Sequence, residues 1–164
     1  MKYSAQEVIQ YVNEEDVKFI RLTFCDVYGR QKNISIMPSE LPRAFEYGIA
    51  FDASSIDGLG DEMQSDLFLR PDPETLAVLP WRPEHGRVIR MFCTITKPNG
   101  DVYECDTRNV LKKAIKYAKD RGIEFYFGSE LEFYLFKLDE KGEPTKEPYD
   151  NAGYMDLAPA DRGE

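Results

Sequence analysis

Two carboxylates, Glu130 and Glu132, stand in the middle of an aromatic, β-favouring stretch, GSELEFYLF at residues 128–136. In an extended strand Phe125, Phe127, Leu131, Phe133 and Leu135 share one face, and Tyr126, Glu130, Glu132 and Tyr134 the other. Residues two apart on one face are separated by about 6.6 Å at roughly 3.3 Å per residue. Two carboxylates at that spacing suit a divalent cation site of hard oxygen donors. The plain alternative is the wet face of a half-exposed antiparallel sheet, where a glutamate needs no ligand. The rings around the pair favour the cation, because carboxylates among aromatics cost several kcal/mol unless paired or metal-bound.

A second group of chemical interest lies in FDASSIDGLGDEMQSD, residues 51–66, where Asp52, Ser54, Ser55, Asp57, Gly58, Gly60 and Asp61 concentrate turn formers and acids. This reads as a mobile, exposed loop: either an ordinary Asx/Ser turn or a flap presenting Asp52 to a site. Gly58-Leu59-Gly60 is not a nucleotide fingerprint, since no capped helix follows and the acids would repel phosphate. Ser54 and Ser55 have no evident base beside them. His85, the sole histidine, sits in a turn in WRPEHGR and reads as structural, with no cysteine or second histidine near it.

These candidates need elements to hold them. Ser4 to Glu7 form a capping box ahead of a short helix with Val8, Ile9, Tyr11 and Val12 on one face. VKFIRLTFCDV, a turn at residues 26–29 and QKNISIM form a hairpin. Ser39 caps a second short helix that tolerates Pro42 and ends at Gly48. Strands are expected at 65–70, 75–79 and 87–96, the last joined to 101–105 through Asn99-Gly100. Asp106 then caps a helix whose Val110, Leu111, Ala114, Tyr117 and Ala118 recur at helical spacing until Gly122 stops it. Residues 139–164 carry no sustained periodicity, which reads as a chain stopping partway into a second domain.

The balance of 30 acidic against 21 basic residues, a net charge of −9, disfavours nucleic acid and suits a protein handling cations. Hydrophobic residues make up 42% of the 164, enough for a core, so a disordered chain is excluded. No segment has the length and apolarity of a membrane span or a signal peptide, and the three cysteines lack metal-ligand spacing. A reduced, cytoplasmic protein is expected.

The order of FDASSIDGL, SDLFLRPDPETLAVLPW, GSELEFYLF and YMDLAPADRGE resembles the N-terminal part of class I glutamine synthetase, over nearly the whole chain. The resemblance implies an α+β architecture: a β-grasp domain at residues 1–103, followed by the truncated start of an α+β catalytic domain at 104–164. It implies that Glu130 and Glu132 each ligate one of two Mg²⁺ or Mn²⁺ ions. It implies that Asp52, with Ser55 beside it, reaches a neighbouring subunit's site to bind ammonium and take its proton. The implied substrates are ATP, glutamate and ammonium, and the implied assembly is a dodecamer of two hexameric rings. The 164 residues by themselves are expected to be inactive. Ala53 stands where the family commonly has Gly, and Gln64 where it commonly has Glu. A ligase joining glutamate to another amine, or a non-catalytic β-grasp assembly module, therefore stays open.

Overall fold

The computed structural model describes residues 3–60, 65–81 and 86–163. Two compact units divide at Glu124/Phe125. Asp61, Gln64 and His85 lie outside the described residues.

The first unit opens with α1, Ala5–Glu14, whose N-terminus carries both halves of the expected capping box between Ser4 and Glu7. Its Val8 and Val12, one turn apart, are buried, and Ile9 and Tyr11 pack beside them. Next come β1, Val17–Cys25, and β2, Gln31–Ile36, an antiparallel hairpin running from Ile20↔Ile36 to Cys25↔Gln31. The turn between them is held by Asp26, whose buried Oδ1 accepts from the Tyr28 and Arg30 N–H groups, both at 2.9 Å.

A 3₁₀ turn, Pro38–Glu40, leads into α2, Leu41–Glu46. Ser39 is not its cap. The residue flanking the helix is Glu40, with no side-chain capping bond, because the 3₁₀ turn already occupies the position from which Ser39 would cap. Gly48 ends the helix at φ +83°, as its position suggests.

The remaining strands are β3, Ile49–Asp52, β4, Asp66–Pro71, β5, Ala77–Leu79, and β6, Arg87–Thr96. The strand order is β2-β1-β6-β4-β3, with β5 on β6 as well. β6 runs parallel to β1 and antiparallel to both β5, over its first half, and β4, over its second. Ile20, Leu22, Phe24, Leu67, Leu69, Ile89, Met91 and Ile95 supply the buried face against which α1 and α2 pack.

The strand expected at 101–105 shrinks to one bridge, Thr96↔Val102. The Asn99-Gly100 turn forms, with Lys97 N–H bonded to the Asp101 carbonyl at 2.8 Å, but the chain turns again at Tyr103 to Asp106, 3.2 Å, to deliver the next cap. That cap begins α3, Thr107–Lys119, where the Asp106 side chain accepts from Arg108 N–H. Helix α3 belongs to the first compact unit: Thr107 Oγ1 donates to the Cys25 carbonyl at 3.0 Å, and Arg108 pairs with Asp72.

In the second unit, β7, Phe136–Leu138, and β8, Pro144–Pro148, form a small antiparallel ribbon. The strand expected over 128–136 is absent: residues 123–135 have no regular structure, and the first paired residue is Phe136. Alternation fixes which way side chains point, but a strand also needs a neighbour to take its N–H and C=O groups. Among the described residues that neighbour begins only at Leu135, whose carbonyl accepts from Tyr149 N–H at 2.8 Å, and at Phe136, which pairs with Pro148. The extended habit survives in the i, i+2 ring pairs Phe125–Phe127, centroids 6.2 Å apart, and Tyr134–Phe136, 6.4 Å apart.

Candidate functional site

Asp52 is the last residue of β3, a strand the sequence reading took for loop. The preceding Phe51 is half-buried, its ring 5.1 Å from that of Phe24, and Asp52 pairs in register with Asp66 of β4. Two like charges directly opposite on neighbouring strands repel. Asp52 nevertheless stays exposed and readily ionised: its Oδ1 accepts from the Ser54 hydroxyl at 2.6 Å and the Ser54 N–H at 2.9 Å. Those bonds, the hydroxyl first, with help from the Ser55 hydroxyl, hold its carboxyl below the ordinary aspartate range despite slight desolvation. Ser54 is thus a participant that the sequence reading left without a role; the D-x-S spacing of an Asx-type turn is the signal that carries it.

The described part of the loop that follows, residues 53–60, is exposed at several positions but anchored at two. Ala53 and Leu59 are fully buried, and two reverse turns, Ile56 N–H to Ala53 C=O at 3.0 Å and Leu59 N–H to Ile56 C=O at 3.1 Å, fold it onto the core. Ser54, Ser55 and Asp57 remain exposed at its outer side. Position 53 does not need glycine, since among the described residues the only non-glycine positive φ angles are at Asp16 and Met155. The loop packs tightly at Gly60, where a Cβ would lie 3.0 Å from Ala53 Cβ and from its carbonyl carbon.

Glu130 and Glu132 belong to the second unit, each exposed and in irregular chain. Their neighbours Phe127, Leu131, Phe133 and Tyr134 are 90%, 81%, 73% and 86% exposed, so the ring-lined environment argued from sequence is not formed in these residues. Among the described residues no group of three His, Cys, Asp or Glu side chains is placed to hold a metal ion. The pair supplies the right kind of donor for a hard divalent cation but not a closed set. Asp52 and Ser55 lie in one unit and the glutamates in the other.

With the fold and these side chains in view, the chain compares closely with known proteins. Residues 16–98 match the glutamine synthetase β-grasp domain, and residues 104–164 match the glutamine synthetase catalytic domain. The chain therefore belongs to the glutamine synthetase family. It is 45% identical over 163 residues to the glutamine synthetase of Clostridium saccharobutylicum, covering 99% of this chain and 37% of that protein. It is 41% identical to the enzyme of Staphylococcus aureus, covering 99% of this chain and 36% of that protein. Among solved structures it resembles Plasmodium falciparum glutamine synthetase, TM-score 0.66 at 25% identity over 74% of this chain and 24% of that one. It shares its fold with GmaS in complex with ADP, TM-score 0.62 at 21% identity over 69% of this chain and 25% of that one. The chain spans about 37% of the length of the curated relatives it matches. Among the described residues no helix is long and apolar enough to cross a membrane.

Proposed function

We propose that this chain is the N-terminal portion of a cytoplasmic, ATP-dependent glutamate–ammonia ligase, with its β-grasp domain ending near residue 103. The reading is carried by the match to glutamine synthetases over 99% of the chain at 41–45% identity. A glutamate γ-carboxylate is a poor electrophile, so the reaction first moves the ATP γ-phosphoryl group onto it, and ammonia then displaces phosphate from the acyl phosphate. Glu130 and Glu132 would hold Mg²⁺ or Mn²⁺ in a full-length protein, together with ligands from outside these 164 residues. When bound, such ions neutralise phosphoryl oxygens and align donor with acceptor.

Asp52 supplies the negative charge that draws ammonium, and Ser55 helps keep it charged. A carboxyl held below its ordinary range stays anionic but is a weak base. Attraction of the cation is therefore its stronger contribution, and proton acceptance the lesser one. The exposure of Asp52 at the end of β3 suits a residue offered to a neighbouring subunit's site in a ring-shaped homo-oligomer, here proposed as a dodecamer. The isolated 164 residues are proposed to have no turnover.

The test is a full-length protein carrying this sequence, assayed for glutamine formation from ATP, glutamate and ammonium. Activity with an organic amine but not with ammonium would replace this reading with a γ-glutamyl-amine ligase. A full-length protein inactive with every amine, whose oligomer is unchanged by Glu130→Ala, would replace it with an assembly module.

A further inference from the structure

The Asp52 loop closes against the turn between β1 and β2. Gly58 adopts φ +78°, and a Cβ built there would lie 2.7 Å from Val27 Cγ1 and 2.8 Å from Val27 Cγ2. Contacts that short are repulsive, so the loop backbone rests directly on the valine methyls. Val27 is itself fixed, because the buried Asp26 carboxylate ties the N–H groups of Tyr28 and Arg30 on either side of Gly29. One residue beyond Gly58, Leu59 is fully buried in the core. The segment between Asp52 and Gly60 is thus clamped at its origin by the β3 ladder and at its return by Leu59 and Val27.

We propose that Val27 and Gly58 are positioning residues for the ammonium side of the site: the hairpin turn braces the loop that sets the direction of Asp52, Ser54 and Ser55. This rests on the reading of Asp52 given above. The serine bonds that keep Asp52 charged depend on the loop's path from residue 53 onward. That path is set where the loop meets Val27. Substituting Gly58 imposes both a left-handed φ on a side-chain residue and a collision with the two methyls. Truncating Val27 removes the methyls, and the nearest remaining atom would be its Cβ at 3.3 Å.

The experiment uses the full-length protein with Gly58→Ala, Val27→Ala, the two combined, and Asp52→Ala. It reads kcat and the separate KM values for ammonium, glutamate and ATP, with hydrogen exchange of residues 53–60. Gly58→Ala is expected to raise the ammonium KM by about tenfold or more while the ATP KM holds within about twofold, the response expected of a displaced contact. The combined variant is expected to recover part of that loss, a coupling that two independent lesions would not show. Val27→Ala alone is expected to speed exchange in the loop and raise the ammonium KM less. If Gly58→Ala does not fold, Val27→Ala decides: unchanged loop exchange and unchanged ammonium KM overturn the brace. Additive losses in the combined variant overturn it too. Asp52→Ala with an unchanged ammonium KM overturns instead the role of Asp52, and faster loop exchange in Val27→Ala would then leave only the mechanical contact standing.

Discussion

Arg108, in the first turn of α3, forms an ion pair with Asp72, which precedes the 3₁₀ turn Pro73–Thr75. Their side chains are 25% and 24% exposed, so the pair is largely shielded from water. Burial pushes the Asp72 carboxyl up, but the Arg108 guanidinium and the Glu74 N–H outweigh it and leave the group below its ordinary value. Arg108 Nη1 is buried with no hydrogen-bond partner, so losing Asp72 would strand more of the same guanidinium.

Asp72→Ala in the 164-residue chain is expected to lose roughly 1.5–3 kcal/mol in urea unfolding at pH 7, the range for hydrogen bonds to charged groups. The sign with pH follows from a depressed folded-state value. The stabilisation is present above the ordinary aspartate range, about 3.9, and fades as pH falls through the lower folded value. The gap between wild type and variant should narrow below about pH 4. A loss that stays constant down to pH 2.5 would contradict the pairing.

Asp106 titrates in the opposite sense. It is 1% exposed, and burial pushes its carboxyl up despite bonds from the Ile95, Arg108 and Asn109 N–H groups. A raised folded value means the ionised form costs stability, a cost that appears as pH rises from the ordinary aspartate value through the folded one. Asn can still cap α3 through its side-chain oxygen. Relative to wild type, Asp106→Asn is therefore expected to gain as pH is raised from 4 to 7, read as a denaturation midpoint of the variant minus that of wild type that rises over the interval, whatever offset the lost second acceptor for Ile95 N–H sets at pH 4. A variant-minus-wild-type value that falls over that interval would refute the assignment.

The three thiols should separate cleanly in alkylation. Cys93 is buried, and desolvation above all pushes its thiol up to about 12, so it stays protonated at pH 8. Cys105 is exposed and Cys25 half-buried. Mass mapping after brief iodoacetamide treatment should find Cys105 modified first and Cys93 untouched until denaturant is added. Early labelling of Cys93 would mean that the β6 core opens far more readily than its packing implies.

What the sequence made legible is what its own neighbours enforce. The β1–β2 hairpin, the capping box of α1 and the Asp106-to-Gly122 span of α3 each carry their signals among residues near in sequence, and each formed. Non-local partners were not legible. Nothing in residues 17–25 says that β1 should lie parallel to β6, some 70 residues on. β3 was read as loop because four residues before a run of Asp and Ser are too few to show a period. The converse error fell on 128–136, whose alternation specifies direction without supplying a partner. At the candidate site, Asp52 and Ser55 were legible as residue types, while the anchoring of their loop was not: a single Leu59 among turn formers gives no hint of its complete burial.

Unpartnered alternation also predicts how the 164-residue chain is cut. Phe125, Phe127, Phe133 and Tyr134 are each more than 60% exposed, and no regular structure protects residues 123–135. The compact unit before them holds Phe24, Phe45 and Phe51 within or against the core, and of its exposed rings Phe19 and Tyr117 lie within β1 and α3. Proteolysis samples exposed, unpaired chain long before it samples a packed sheet. Limited chymotrypsin digestion is therefore expected to cleave first within 125–134 and to leave a resistant fragment ending there, containing β1 to β6 and α3. In a full-length protein the same sites are expected to resist, because a ring-lined stretch this apolar calls for cover. Equal susceptibility in both would mean that these rings stay in water and that Glu130 and Glu132 never gain the dry surroundings a tight cation site requires.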